Sequence, residues 1–408
     1  MTTKVRGDFD FGSLTVELVA QIDGLRQQQG DAPISGEVLQ LLKAGKFAVS
    51  LNKIIDTSAV IFKADSRDAV ELFNIIFELI DHTPGDNGNT ELCLKIVDIV
   101  RDSDAGADVR LAVFANLFNA AFLAQDLDDV RFVVLRTLVK FAAANDKMAN
   151  VESFLHGTTE IFASLAKQPL TTRQQVLLDV YEALHKYEEP HLEQTYLIEY
   201  LSTFNGVPDK IDSGVQSLAC VAIGSSIGNV LAAKGRQLLN LEAVKSLASA
   251  GGSKAKLFAL LGIFNDGLLP DYLKFSEENA AVLKEFNIDS DEALKSMRLL
   301  SLCSACSAAE NGSLSYERAA EQMGLEPNNY AELERWVMLA INNGLVDVKM
   351  CQQTNKIIVY ASTQRNFEAK QWKSMAKKLA RWRTQIHKLL VTVSKIRSVH
   401  GTKGRSLR

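Results

Sequence analysis

A chain of 408 residues, 47% apolar and 23% charged, has material for a large buried core and for two or three domains. Its net charge of −4 excludes a chain-wide field that would recruit nucleic acid or an anionic membrane, and five scattered cysteines exclude a disulfide framework. The opening residues, MTTKVRGDFDFGS, lack both the apolar run of a signal peptide and the Arg-rich, acid-poor character of a transit peptide, so a cytoplasmic location is expected.

In chain order, the first half predicts helices and little else. Spans 14–28, 38–44 and 47–62 come first. Ser66 caps the next, which runs to residue 81 with Val70, Phe73, Ile76, Phe77 and Ile80 on one face. A polar break at 83–89 precedes helical spans 91–100, 108–123 and 127–144. Two more follow, one from residue 171 with Val176, Leu177, Val180, Tyr181 and Leu184 inward, and one over 191–204. Each carries a broad apolar stripe that only neighbouring helices can cover, and no fixed period emerges. The expectation is an all-α, solenoid-like helical-repeat region over 1–204, ending at the turn Asn205-Gly206-Val207-Pro208.

Residues 213–233 carry no charge, which is about the length of a membrane span. Gln216, Asn229 and the serines dilute its hydrophobicity, and Gly224 and Gly228 predict a break, so two short buried helices are expected and no membrane partner. Helical pairs then continue through 238–250, 254–264, 271–275 and 276–286.

Residues 291–362 predict a winged helix. The first helix places Ala293, Met297, Leu300 and Ser304 on one face, and the second runs over 316–323 to Gly324. Asn328 or Asn329 caps the third, in which Leu333, Trp336, Val337, Ala340 and Ile341 repeat at three and four residues. Gly344 sits where a left-handed cap is wanted, and a hairpin follows over 345–351 and 356–361. Between residues 310 and 335, six glutamates face Arg318 and Arg335, a surface that repels a duplex, so DNA is not expected as a partner. The run Ile357-Ile358-Val359-Tyr360 has no proline or charge to guard an edge, and is expected to pair with a neighbouring subunit's wing.

The chain closes with a predicted helix over 367–399. Trp372, Met375, Leu379, Trp382, Ile386, Leu389, Val393 and Ile396 alternate three and four apart, which is a heptad seam that asks for partner helices. No acid follows Glu368. Beyond the heptads, Lys403, Arg405 and Arg408 form a basic tail able to touch RNA.

The order helical repeats, winged helix and long C-terminal helix resembles the PCI proteins. That module is shared by the proteasome lid, the photomorphogenesis signalosome and eukaryotic translation initiation factor three. Within that set the chain is similar to the m-subunit family of initiation factor three. The likeness rests on Tyr272-Leu273-Lys274-Phe275, Lys295-Ser296-Met297-Arg298-Leu299-Leu300-Ser301 and Asn355-Lys356-Ile357-Ile358-Val359. It continues in Thr363-Gln364-Arg365-Asn366-Phe367 and Trp372. Upstream, Asn116-Leu117-Phe118-Asn119 and residues 177–184 also fit. The resemblance implies a PCI module over 205–362, made of helical pairs (205–290) and winged helix (291–362), with a basic heptad helix and tail over 363–408. It further implies a non-catalytic scaffold subunit whose partners are other PCI-containing subunits, met through the wing edge and a C-terminal helical bundle. The small ribosomal subunit would be reached through the complex, supporting mRNA recruitment. A signalosome or lid subunit is the alternative, as is direct RNA binding by the tail.

The chemistry-bearing residues are consistent with that expectation. Cys303 and Cys306 have metal spacing but no second pair, the six histidines are dispersed, and Gly251-Gly252-Ser253-Lys254 lacks the phosphate-loop pattern. No enzyme, cofactor or metal is expected.

Overall fold

The computed structural model describes residues 11–403 apart from 84–85, 124–127, 188, 208–209, 229–234, 310–311, 327–328, 364 and 366–368. Two compact units are present, Met1–Thr203 and Phe204–Arg408.

The first unit is helical throughout its described residues. The expected span 66–81 forms as Ser66–Asp81, with Asp65 and not Ser66 at the N-cap and no side-chain cap hydrogen bond, and others form as Phe11–Gln27, Ser35–Lys43, Ala107–Leu123, Asp128–Ala144, Leu170–Tyr187 and Pro190–Ser202. Two spans differ. The helix from Phe47 ends at Thr57 and tightens into the 3₁₀ turn Ser58–Lys63, because Thr57 and Ser58 donate their hydroxyls back to Ile54 and Ile55. The expected loop at 83–89 is shorter, since Asp86–Asp102 is helical and short polar residues suit a helix start as well as a turn. Helices pack on their next and next-but-one neighbours, and Phe73, Phe114 and Phe132 are fully buried between them. Among the residues quoted above, Asn116 Nδ2 donates to Asn74 Oδ1 at 2.9 Å. Asp179 accepts from Arg136 at 2.5 Å and Lys140 at 3.0 Å, joining Leu170–Tyr187 to Asp128–Ala144. These pairs bridge helices whose apolar stripes supply the main driving force.

In the second unit, Ser213–Gly228 is one helix running through Gly224, which corrects the expected break. A Cβ at Gly224 would make only ordinary contact, 3.7 Å from the Phe286 carbonyl and 3.8 Å from Ile288, so neither space nor backbone conformation requires a break there. No helix among the described residues is long and apolar enough to cross a membrane. Helices Glu242–Ala250, Gly252–Asp266 and Leu269–Glu278 follow, with Tyr272 and Phe275 buried and the Tyr272 hydroxyl donating to Ser290 O at 3.2 Å.

The winged helix is built on Ser290–Ser307, Tyr316–Gln322 and Tyr330–Asn342. Its sheet has three strands rather than two: β1 (Ser313–Ser315), β2 (Val346–Cys351) and β3 (Lys356–Ser362), all antiparallel, with β3 in the middle. The first helix is buried on a wider arc than its expected face, and Leu300 and Ser304 lie at the margin while Leu299, Leu302, Cys303 and Cys306 enter the core. In the third helix Leu333, Val337 and Ala340 are buried as expected. Ile341 is turned outward with Met338 and Leu339, because the sheet covers only one side. Gly344 has φ of +65°, a conformation that penalises any side chain at the exit of this helix.

Candidate docking surfaces

The wing begins with local caps. Asn329 accepts from the Glu332 backbone N–H at 3.3 Å, and its amide donates to Glu332 Oε2 at 2.8 Å, while Asn328 lies outside the described residues. Glu334 accepts from the Tyr316 hydroxyl at 3.1 Å and from Gln352 at 2.9 Å, which locks the third helix to the hairpin turn. Burial, with the Glu334 carboxylate second, pushes the Tyr316 phenol up to about 12. Two of the six acids are therefore bound into the wing's own structure. Arg298 lies 5.6 Å over the Trp336 ring, tying the first helix to the third.

The strand expected to present a four-residue apolar edge does something different. Over Lys356–Ile358, β3 is paired on both sides, with Ile358 facing Ser313 of β1 and Lys349 of β2, whereas Val359, Ala361 and Ser362 pair with β2 alone. Its side chains alternate, so Ile357 is fully buried in the wing core and Val359 packs against that core, while Ile358 and Tyr360 point outward. The edge reading is corrected for Ile357 and Ile358, while the side of Val359 and Tyr360 away from β2 carries no ladder partner among the described residues. The outer strands are β1 and β2, and β1 went unforeseen because Ser-Leu-Ser has no periodicity of its own.

Cys303 and Cys306 belong to the same core. Burial pushes their thiols up to about 11 and about 12, so both stay protonated at neutral pH. No group of three or more potential metal ligands exists among the described residues.

Past β3, Arg365 is drawn inward. Its guanidinium donates to the carbonyls of Phe264 at 2.5 Å, Gly267 at 2.9 Å and Ile263 at 3.3 Å, and to Ser304 Oγ at 3.4 Å. The carbonyls belong to the last turn of Gly252–Asp266 and the residue after it, the place where a helix leaves acceptors unpaired and favours a cation. Desolvation lowers the Arg365 pKa, opposed by the nearby Asp266 carboxylate.

The C-terminal helix extends over Ala369–Lys403, somewhat longer than expected, and measures about 50 Å. It holds seven Lys and three each of Leu, Ala and Arg and is free of Gly and Pro until Gly401, which favours a helix throughout. The eight seam residues, Trp372, Met375, Leu379, Trp382, Ile386, Leu389, Val393 and Ile396, are all exposed, from 39% at Met375 to 64% at Leu389. Leu390 and Val391 are exposed beside them, outside the strict heptad pattern. Lys403 closes the helix, and Arg405 and Arg408 lie outside the described residues.

Residues 277–361 match the model of the PCI domain, which takes in the winged helix and the helical turn before it. Eukaryotic translation initiation factor 3 subunit M from Phaeosphaeria nodorum is 25% identical over 401 residues, 96% of this chain and 88% of the relative. The protein of the same name from Dictyostelium discoideum is 24% identical over 384 residues, covering 92% of each chain. That from Nematostella vectensis is 27% identical over 343 residues, covering 82% of this chain and 85% of its own. With a winged helix where the PCI model matches and helices before it, the chain carries a PCI-like module over residues 277–361 and resembles subunit M of eukaryotic translation initiation factor 3 over nearly its whole length.

Proposed function

We propose that the chain is a non-catalytic scaffold subunit of the translation initiation factor three complex, acting in the cytoplasm. It supports binding to the small ribosomal subunit and mRNA recruitment by holding other PCI-containing subunits. In this reading residues 1–204 are a helical-repeat arm, 205–362 the PCI module and 363–408 the assembly helix.

The observation that carries it is the exposed heptad seam of Ala369–Lys403, in a chain similar to subunits of one named complex. Burying a Leu or Ile side chain is worth about 1.5–3 kcal/mol, so eight such positions hold ample free energy for association. The helix contains no acid, so a second copy of itself would bring like charges together. Its partners are therefore helices with apolar seams and acidic flanks, supplied by other subunits. The wing adds a second contact through the outer edge of β2 and the outward Ile358 and Tyr360.

Affinity capture of the tagged full chain, with mass spectrometry of what accompanies it, tests the reading. Recovery of initiation factor three subunits is expected. Recovery of signalosome or proteasome-lid subunits instead would transfer the scaffold role to that complex, and recovery of the chain alone would overturn it.

A further inference from the structure

We propose that the outward face of the C-terminal helix binds the phosphodiester backbone of RNA, through Lys373, Lys377, Arg381, Lys388 and Lys395. The inference rests on the preceding reading, in which the heptad seam is covered by helices of other subunits and the identity of the complex makes RNA the polyanion at hand.

Charge in this chain is segregated. Twelve of its 45 Lys and Arg and none of its 49 Asp and Glu lie in residues 369–408, which leaves residues 1–368 with 33 cations against 49 acids. A phosphate backbone is repelled by the body and attracted by the helix. No acid within the helix can neutralise its cations at i+3 or i+4.

The cations are also sorted around the helix. With Trp372, Leu379, Ile386 and Val393 at heptad position a, Lys373 falls at b, Lys377 at f, and Arg381, Lys388 and Lys395 at c. These positions face away from a partner bundle, whereas Lys378 and Arg383 flank the seam. All five outward cations are exposed and extend over roughly 33 Å. Charges at the flanks serve the choice of partner helix. Charges at b, c and f contribute nothing to the seam and remain accessible once it is covered.

Two other occupants fit less well. An anionic membrane would need the apolar stripe to stay on one side of a straight helix. A 3.5-residue repeat drifts by about 20° per heptad against the helical period, so the stripe from Trp372 to Val393 turns by roughly 60° and suits a supercoiling partner, not a plane. A protein partner on the outward face would be anchored by aromatic or large aliphatic groups, and protein interfaces are poor in Lys. The described b, c and f positions hold no Trp, Tyr, Phe, Met, Leu or Ile, and Val391 at f is their single large apolar residue. A phosphate backbone requires only regularly spaced cations.

The test uses the full chain assembled with its partner subunits and, separately, the chain alone, with a short fluorescein-labelled polyuridine RNA as probe. Five phosphate contacts to a single strand predict a log–log salt slope of about −3.5, or roughly a 100-fold loss of affinity from about 50 to 200 mM salt. Arg381→Gln with Lys388→Gln and Lys395→Gln removes three contacts, lowers the slope to about −1.4 and leaves co-sedimentation with the other subunits unchanged. Absence of salt-sensitive binding by the wild-type chain overturns the proposal, as does a slope that the triple variant leaves unaltered. Loss of co-sedimentation in that variant assigns the face to a protein and also overturns it. So does tighter binding to phosphatidylserine-containing vesicles than to RNA. The seam is read independently: Leu379→Asp with Ile386→Asp should release the chain from its complex while preserving the RNA salt slope of the released chain.

Discussion

The Arg365 guanidinium donates to the Phe264 carbonyl at 2.5 Å, joining residues 101 apart in sequence. Through this contact and those to Ile263 and Gly267, the segment leaving the wing caps the helix Gly252–Asp266. The first helix of the wing, through Ser304, and the end of Gly252–Asp266 are thereby joined at one side chain. Arg365→Ala removes a half-buried cation that donates to three carbonyls, so a loss of about 2–4 kcal/mol is expected. Arg365→Lys should recover only part of this, because a single ammonium cannot serve three diverging carbonyls. Denaturant titration of the full chain measures both, and a midpoint unchanged in Arg365→Ala would show the cap to be dispensable.

Within β3, adjacent isoleucines should behave in opposite ways. Ile357→Ala opens a cavity in the wing core and is expected to cost about 2–5 kcal/mol, whereas Ile358→Ala, on the outward face, should cost under about 0.5 kcal/mol. Ile358→Pro breaks a strand paired on both sides and should unfold the wing itself. Thermal unfolding of the three variants checks the order, and equal effects at the two alanine positions would contradict the central placement of β3.

The exposed seam makes stability and assembly separable. Leu379 and Ile386 are 54% and 57% exposed, so replacing both with Asp should leave the melting of residues 1–360 intact while abolishing co-sedimentation with partner subunits. Reversing Lys377 and Lys378 should weaken co-sedimentation far less, since exposed ion pairs contribute little. A double Asp variant that still co-sediments would mean that the seam is buried against the chain itself.

Deleting residues 369–408 leaves a chain with an excess of acids, among them Glu332 and Glu334 on the third helix of the wing. This shortened chain should show no salt-sensitive binding to duplex DNA or to RNA. Micromolar binding with a steep salt slope would return the winged helix to the nucleic-acid readers.

The cysteines should react in a definite order. Hydrogen bonds from Thr354 lower the pKa of Cys351, whereas burial holds Cys303 and Cys306 at about 11 and about 12. Alkylation followed by mass mapping should therefore modify Cys351 first and the buried pair only on unfolding. The sign of the linked stability follows. A thiol whose folded pKa is raised from 9.0 contributes its full stability below that value and loses it as pH rises toward about 12, so the wing should weaken through this alkaline window. Wing stability that rises over the same range would contradict the burial of both thiols.

The sequence by itself determined most of the helices and the existence of the seam, because both are written in local spacing. Ser66–Asp81 follows from one apolar stripe, Tyr330–Asn342 from an asparagine cap at 328 or 329 and a repeat ended at Gly344, and Ala369–Lys403 from eight apolar residues at alternating intervals. Tertiary structure alone decided what those residues face. Ser313–Ser315 is a strand only because β3 supplies its ladder partners, and that pairing places β3 at the centre and turns Ile357 inward. Gly224 stays helical because burial of Ala222, Ile223 and Ile227 in the same helix outweighs its weak propensity. Arg365 reads as one more basic residue until the fold brings it to carbonyls 98 to 102 positions away. Periodicity records which side of an element is apolar, whereas the partner of a strand edge or a helix end is chosen across the chain by contacts that no local window contains.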